Sequence, residues 1–304
     1  MRRSVYNGFI NLLKPPGMTS NDAVSFIRRR LKGDSGVKVG HAGTLDPEAV
    51  GVLPIMLGKA TRMSDELMDK RKEYIAKWTP GASTDTQDAQ GRIVARSDRV
   101  PSDEELDAIL RRFVGDIRQT PPAYSAIKIG GVPSYRRARM GEAAVLEERS
   151  VRVFALEWLG GSSWDGRMLR AECGRGVYVR TLCEDIGRVA GCASHMSFLL
   201  RTRCGPFGIE DSVTLEECVG LLERGGGEVF ARQIIQPLDV PLYDLPMHTI
   251  SPAFAARARC GNPVPLRMLE PEPVPGRVRL YLDGELVGIG IASKDGVSFR
   301  PMLL

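Results

Sequence analysis

The stretch KVGHAGTLDPEAVGVLPI, residues 38–55, joins a polar loop to an apolar run. The loop holds one histidine, His41, and one aspartate, Asp46, and its glycines permit tight backbone turns. Pro47 restricts Asp46 to an extended conformation, which fixes the direction of the carboxylate. Because an Asp-Pro step in a loop usually marks only a turn, the spacing alone leaves a plain turn and a catalytic carboxylate both open.

Short elements are predicted on both sides of this stretch. Residues 9–13 predict a buried strand that ends at the turn 14–17, and the N-cap cluster 19–22 begins a helix with an apolar stripe. Residues 33–47, rich in glycine, predict a loop. The remaining predictions are an apolar run at 50–57, a strand at 72–79, a helix from the capping box Ser102–Glu105, a strand at 151–158, a strand end running into a helix at 178–189, and a helix from the capping box Thr214–Glu217.

The last quarter of the chain has a different pattern. From residue 241 onward Pro and Gly become more frequent, and Val278, Leu280 and Leu282 alternate with polar residues. The dipeptides at 283–284 and 295–296 are both Asp-Gly, a strong hairpin signal. We therefore predict an α+β fold with two domains, a body at 1–240 around a largely antiparallel mixed sheet flanked by helices, and a small β domain at 241–304.

Composition and charge narrow the class of protein. The chain has 304 residues, of which 43% are hydrophobic and 26% charged, so it can bury a core. No apolar stretch reaches the roughly 18–20 residues that a membrane span needs. Residues 1–62 hold ten Lys and Arg against four Asp and Glu, whereas the whole chain carries a net charge of +5. This basic end suits contacts with a polyanionic partner, but on charge alone a plain solvated surface is the more frequent explanation.

Cysteine and histidine usage gives little support for a metal site. The six cysteines form no C-x-x-C pair, and the chain has three histidines. The first residues lack the apolar core and cleavage site of a signal peptide. We therefore expect reduced thiols and a cytoplasmic protein.

Several ordered segments together resemble the TruB family of tRNA pseudouridine synthases. Besides residues 38–55, they are NLLKPPGMTSNDAV (11–24), KEYIAKW (72–78), STDTQDAQG (83–91), QTPPAYSAIKIGGVPSYRRAR (119–139), GRGVYVRTLCEDIG (174–187) and HMSFLLRTRCGPF (195–207). The resemblance spans roughly residues 9–240. It implies the pseudouridine synthase fold for the body and, by position and strand pattern only, a PUA-like C-terminal domain.

The resemblance also implies the site residues. The catalytic set is Asp46, Tyr74 and Arg180, and the substrate-binding set is Tyr178, Leu200, His41, Lys14 and Pro15. In these roles Asp46 is the essential carboxylate, Arg180 pairs with it, and the two tyrosines line the pocket of the target base. From patterning alone, Tyr74, Tyr178 and Leu200 would be core residues and Arg180 a surface residue at a helix start.

The implied reaction isomerises uridine 55 in the T-loop of tRNA to pseudouridine after the base is flipped out. It involves no redox step, and we expect no cofactor and no metal. We expect the tRNA T-arm as partner, an RNA clamp at about 125–150, no membrane, no obligatory protein partner, and a monomer. Val177 departs from the family pattern, which often has Thr there, so a hydrogen bond from that hydroxyl is not expected.

Two alternatives share this motif set. One is a guide-RNA-dependent synthase of the dyskerin/Cbf5 branch, and the other is a non-catalytic tRNA-folding or tRNA-binding protein. The short β tail favours the stand-alone enzyme over the guide-RNA-dependent synthase. The non-catalytic protein is disfavoured by an intact set of site residues: Asp46, Tyr74, Tyr178 and Arg180. The residues leave open whether Asp46 attacks C1′, attacks C6, or assists elimination toward a glycal.

Overall fold

The structure, a computed structural model, describes residues 5–31, 36–142, 146–162 and 165–301. Its strands are β1 Gly8–Lys14, β2 Val39–His41, β3 Val50–Leu57, β4 Lys72–Pro80, β5 Ala82–Thr84, β6 Ile93–Arg96, β7 Gly115–Gln119, β8 Lys128–Ile129, β9 Val132–Pro133, β10 Arg149–Ser162, β11 Gly166–Cys173, β12 Ser194–Cys204, β13 Phe207–Gly208, β14 Met247–Ile250, β15 Leu269–Glu270, β16 Gly276–Leu282, β17 Glu285–Ser293 and β18 Gly296–Pro301. Its helices are α1 Ser20–Arg30, α2 Ser64–Met68, α3 Asp103–Leu110, α4 Ser134–Arg139, α5 Val179–Ala190, α6 Leu215–Ile234, interrupted at Gly226, and α7 Ala255–Arg259.

A large sheet forms the body of the protein. In the described residues its strand order is β1-β3-β12-β4-β11-β10-β7, with β2 beside β3 and β13 beside β12. The pairs are antiparallel apart from β3 and β12, which run parallel over a short contact. The prediction of a largely antiparallel mixed sheet flanked by helices is therefore confirmed.

The apolar run after Asp46 becomes an interior strand because both of its faces are covered. Leu53 and Ile55 of β3 join the main core, to which α1, α3, α5 and α6 contribute their apolar sides. Val52 and Met56 point the other way, into a second cluster with Phe207. This alternation follows from the two-residue period of a strand. It explains why the run is continuously apolar.

The predicted element starts agree closely with the structure. Thr19, Ser102 and Thr214 each cap a helix, and each forms a capping box with the residue three positions on. The predicted loop at 33–47 differs, because residues 39–41 form β2 beside β3, and residues 32–35 lie outside the described part. The strand predicted at 151–158 is longer, and the helix predicted near 178 begins at Val179.

Residues 247–301 form a second sheet with its own core. The order is β15-β14-β16-β17-β18, and the consecutive pairs β16–β17 and β17–β18 are the two predicted hairpins. Asp283 and Gly284 have φ values of 53° and 78°, as a tight hairpin turn requires. Leu286 and Ile289 also pack against the second cluster of the body, so the two sheets share an apolar contact. Among the described residues, none of the helices is long and apolar enough to cross a membrane.

Candidate active site

Asp46 and Arg180 form a bidentate ion pair at the centre of the site. Arg180 Nη2 lies 2.9 Å from Asp46 Oδ1, and Nε lies 2.9 Å from Oδ2. The Arg180 side chain is only 5% exposed, whereas that of Asp46 is 33% exposed. The planar guanidinium therefore fixes the orientation of a carboxylate that still has an open side.

Two backbone carbonyls and a second carboxylate hold the Arg180 guanidinium from other directions. Nη1 donates to the carbonyl of Thr86 at 3.1 Å, and Nη2 donates to that of Tyr124 at 3.0 Å. Asp88 Oδ2 lies 3.6 Å from Nη1. Because a buried cation needs its donors satisfied, this set holds Arg180 in a single position.

The surroundings of Asp46 shift its pKa in opposing directions. Burial raises the pKa of the carboxyl above its ordinary value, and the nearby Asp88 adds to that rise. Arg180 and, more weakly, Lys14 act against it. The net direction is upward, so the ionised form of Asp46 depends on Arg180 staying in contact.

Lys14 ties the loop of Asp46 to the first strand. Its side chain is buried, and Nζ donates to the carbonyls of Pro15, Met18 and Pro47 at 2.7, 2.7 and 3.0 Å. Burial lowers the pKa of Lys14 to about 8. Lys14 thus joins the turn after β1 to the residue that follows Asp46, and Pro15 takes part through its carbonyl.

Helix α1 anchors the same loop from its N-terminus. The backbone N–H of Leu45 donates to Ser20 Oγ at 2.9 Å, and that hydroxyl lies 3.1 Å from the Leu45 carbonyl. Leu45 and Ser20 are both buried. The residue just before Asp46 is therefore fixed by the first turn of α1, as the residue just after it is by Lys14.

An inner cavity of about 530 Å³ opens beside Asp46. Tyr74 of β4 lines it together with Tyr178, Leu199 and Arg201. Burial raises the pKa of Tyr74 to about 12, although the Arg201 cation opposes this, so the phenol is neutral at physiological pH. The structure thus brings Tyr74 and Tyr178 to the cavity that Asp46 and Arg180 border.

The structure does not bring Leu200, which was predicted to bind substrate, to this cavity. Leu199 lines the inner cavity, whereas Leu200 pairs across the sheet with Ile75 and lies half-buried outside the cavity lining. Leu199 pairs with Ala76, on the same face as Tyr74. Since successive strand residues point to opposite faces, a shift of one residue moves the assignment to the wrong side.

An outer cavity of about 640 Å³ shares its inner wall with the first. Asp46, Arg180 and Leu199 border both cavities, and His41 and Asp88 line the outer one. His41 Nδ1 is buried and lacks a hydrogen-bond partner within the described residues. Burial lowers the pKa of His41, and Arg201 lowers it further, so the imidazole is neutral near physiological pH.

Arg201 is a site residue that the sequence did not reveal. It is 1% exposed, and it donates to the carbonyls of Val52 at 2.7 Å and Gly43 at 2.9 Å. It therefore connects β12 to the loop of Asp46 and to β3. The available signal was an arginine directly after an apolar strand run, because a charge at such a position usually has buried partners.

Gly51 of β3 allows β12 to approach β3 closely. Its φ is +115°, and a Cβ there would lie 2.2 Å from the Arg201 carbonyl oxygen. Only glycine fits a backbone contact this close.

No group of three or more His, Cys, Asp or Glu side chains suited to a metal ion occurs in the part of the chain that the structure describes.

Comparisons with known proteins agree with this architecture. The family model for the TruB family pseudouridylate synthase N-terminal domain matches residues 28–179, and that for the tRNA pseudouridylate synthase B C-terminal domain matches residues 180–243. The tRNA pseudouridine synthase B of Alkaliphilus oremlandii is 39% identical over 95% of this chain and 94% of its own length. That of Ectopseudomonas mendocina is 41% identical over 97% and 94%.

Solved structures show the same fold. A chain of a crystallised Cbf5-Nop10-Gar1 complex superposes with a TM-score of 0.75 and 28% identity, over 98% of this chain and 84% of that one. An H/ACA RNP bound to a substrate RNA gives a TM-score of 0.73 and 26% identity, over 98% and 85%. With two family models and relatives near 40% identity over almost its full length, this chain belongs to the TruB family of tRNA pseudouridine synthases and is an isomerase.

Proposed function

We propose that this enzyme converts uridine 55 of the tRNA T-loop to pseudouridine on free tRNA, with Asp46 as the essential carboxylate. The observation that carries the proposal is the bidentate Asp46–Arg180 pair on the wall between two cavities. The inner cavity can hold an extruded base, and the outer cavity can hold the RNA next to that base. A carboxylate at that wall faces both the sugar and the base.

The reaction breaks the N1–C1′ bond of uridine, turns the base, and forms a C5–C1′ bond, while C5 loses a proton and N1 gains one. Asp46 serves this exchange by attacking C1′, by attacking C6, or by assisting elimination toward a glycal. Each of these routes requires the ionised carboxylate. Arg180 keeps that form accessible because its positive charge opposes the effect of burial.

The inner cavity suits the flipped base. Its volume of about 530 Å³ lies within the range of roughly 300–1,000 Å³ found for small-molecule sites. Extruding a base costs a few kcal/mol, and stacking on an aromatic ring returns part of that cost. Tyr74 and Tyr178 supply such rings, and the Arg149 guanidinium carbon lies 5.3 Å from the Tyr178 ring centre.

The outer cavity suits the RNA around the target. Tyr135 and Arg139 of α4 line it as His41 does, within the segment at about 125–150 that we propose as an RNA clamp. Residues 143–145 of this segment lie outside the described part. A neutral His41 could fill the space that the base leaves. Unchanged turnover in His41→Ala would contradict that role. We further propose that residues 1–240 form the catalytic domain and 241–304 a PUA-like domain, and that the enzyme acts as a monomer.

A guide-RNA-dependent reaction is the second candidate. The likeness to the chain from the Cbf5-Nop10-Gar1 complex over 98% of this sequence favours it. The higher identity to proteins named tRNA pseudouridine synthase B favours the stand-alone reaction. The two differ in whether free tRNA is sufficient as substrate.

The test uses a tRNA transcript labelled with tritium at uridine C5, with no guide RNA and no other protein. Formation of the C5–C1′ bond releases the label, so release reports the chemistry. We expect the wild-type enzyme to release tritium from the unaltered transcript. We expect no release from a transcript that carries cytidine at position 55. Binding without release from the unaltered transcript would contradict the stand-alone function.

A further inference from the structure

Two glutamine side chains from different segments of the chain form hydrogen bonds with the start of α5. Gln119, the last residue of β7, is 1% exposed. Its Nε2 donates to the Tyr178 carbonyl at 3.1 Å, and the Tyr178 N–H donates to its Oε1 at 2.8 Å. Gln87 accepts from Thr181 Oγ1 at 2.7 Å and donates to Glu184. These contacts hold the backbone just before Arg180 and the side chain just after it.

The same two segments also bind the Arg180 guanidinium directly. Thr86, beside Gln87, offers its carbonyl to Nη1 at 3.1 Å. Tyr124, shortly after Gln119 in the chain, offers its carbonyl to Nη2 at 3.0 Å. Each segment therefore makes two sets of hydrogen bonds, one to the start of α5 and one to the Arg180 guanidinium. We expect a displacement of either glutamine amide to disturb both sets made by its segment.

The backbone around the two amides shows why they are needed. Tyr178 supplies no side-chain cap to α5 among the described residues, so its own backbone relies on Gln119. Gln87 has a φ of 63°, which is uncommon for any residue but glycine and is sustained only where the surroundings hold it. Its carbonyl also accepts from the Met196 N–H at 3.1 Å, which fastens the loop to β12.

We propose that Gln87 and Gln119 are positioning residues that hold the Arg180 guanidinium in its ion pair with Asp46. The inference rests on the proposed role of Asp46 in catalysis. Neither glutamine borders the two cavities, so neither touches the reacting nucleotide. Both act through Arg180, by fixing the carbonyls that receive its donors and the helix turn that carries it.

The expected effect is on turnover more than on binding. A misplacement of a catalytic group by about 1 Å can cost on the order of a hundredfold in rate. Gln87→Met and Gln119→Met keep the side-chain length but lose the amide. We expect each to lower the single-turnover rate constant by about tenfold to hundredfold. The Kd for tRNA should stay within about twofold of the wild-type value, since the cavity linings are unchanged.

The pH profile gives a second readout. The charged groups that act on Asp46 are Arg180, Asp88 and Lys14. When Arg180 is less well placed, it opposes the effect of burial less, and the pKa of Asp46 rises further. Because the reaction needs the carboxylate, the acidic limb of the kcat profile should move to higher pH in both glutamine variants.

The experiment measures tritium release by Gln87→Met, Gln119→Met and Thr181→Val, in the wild-type and in the Arg180→Lys background. Thr181→Val removes one partner of Gln87 without touching the loop, which guards against misfolding of the Gln87 variant. Gln233→Met, an exposed glutamine on α6, is the matched control and should keep wild-type kcat. Thermal unfolding of every variant is recorded alongside.

The proposal predicts losses in the wild-type background that largely disappear in Arg180→Lys, because the glutamines act through that arginine. Wild-type kcat and pH limb in the glutamine variants would overturn it. So would losses that persist in full in the Arg180→Lys background and follow the unfolded fraction. An inactive wild-type enzyme would instead contradict the proposed function, which separates the two failures.

Discussion

The active-site loop and the C-terminal sheet are built by opposite means. In the C-terminal sheet, neighbours in sequence pair through two tight turns, and buried apolar residues such as Val278 and Leu280 fill the core. At the active site, Asp46 and Arg180 are 134 residues apart in the sequence, and buried Lys and Arg side chains hold the loops through hydrogen bonds. Single substitutions should therefore be far more damaging at the active site than in the hairpins.

The largest effect is expected from Gly51→Ala. The new Cβ would lie 2.2 Å from the Arg201 carbonyl oxygen, on a backbone with φ of +115°. Overpacking and backbone strain each cost about 1–3 kcal/mol, so we expect a loss of about 2–6 kcal/mol in the free energy of unfolding. Urea denaturation gives this value. Tritium release should fall with it, because Arg201 also holds the loop of Asp46.

A clean Gly51→Ala substitution with wild-type stability would show that β3 and β12 can separate without consequence. That result would contradict the account of the loop as a rigidly supported structure. The matched comparison is the substitution of another glycine with positive φ, Gly284, whose effect should be the smallest.

Lys14→Met should remove a pH dependence of stability. The pKa of Lys14 is about 8 in the folded protein, below its ordinary 10.5. Between these values the unfolded chain binds more protons, so this lysine makes stability rise with pH. The free energy of unfolding of the wild type minus that of the variant should rise between about pH 8 and 10.5, by at most about 3 kcal/mol.

The check is denaturant unfolding of both proteins across that range. Below about pH 8 the difference should be flat with respect to this group, because both states hold the proton. A difference that stays constant from pH 8 to 10.5 would mean that folding does not lower the pKa of Lys14, and would contradict the burial of its ammonium group.

Gly284→Ala should have the smallest effect. Its φ is +78°, and a Cβ there meets no atom within 4 Å in the described structure. The cost is backbone strain alone, about 1–2 kcal/mol in the free energy of unfolding. Single-turnover tritium release should keep its wild-type rate. A loss of activity comparable to that of Gly51→Ala would show that the two regions are not independent in the way their construction suggests.

This contrast also explains what could be predicted from the sequence. The Asp283-Gly284 hairpin and the capping boxes at Ser102 and Thr214 are local signals, and the structure has them where they were predicted. The long-range Asp46–Arg180 contact was implied by the family resemblance, because no local pattern records a partner 134 residues away.

The remaining site residues illustrate the limit of local patterns. Leu200 was predicted to bind substrate but lies on the face of β12 opposite to Leu199, since a strand reverses its facing at every residue and the motif alone does not set the register. Arg201, Gln87 and Gln119 act through contacts between distant segments, and their types are common on surfaces. Only the fold shows that these side chains have buried partners.

The most direct test of the account is tritium release by Asp46→Asn under single-turnover conditions, with tRNA binding measured beside it. The amide keeps the shape of the side chain but removes the charge that pairs with Arg180 and that we propose acts on the nucleotide. We predict that binding persists and that release from uridine 55 falls below detection. Release at a rate near that of the wild type would contradict the role of Asp46 as the essential carboxylate.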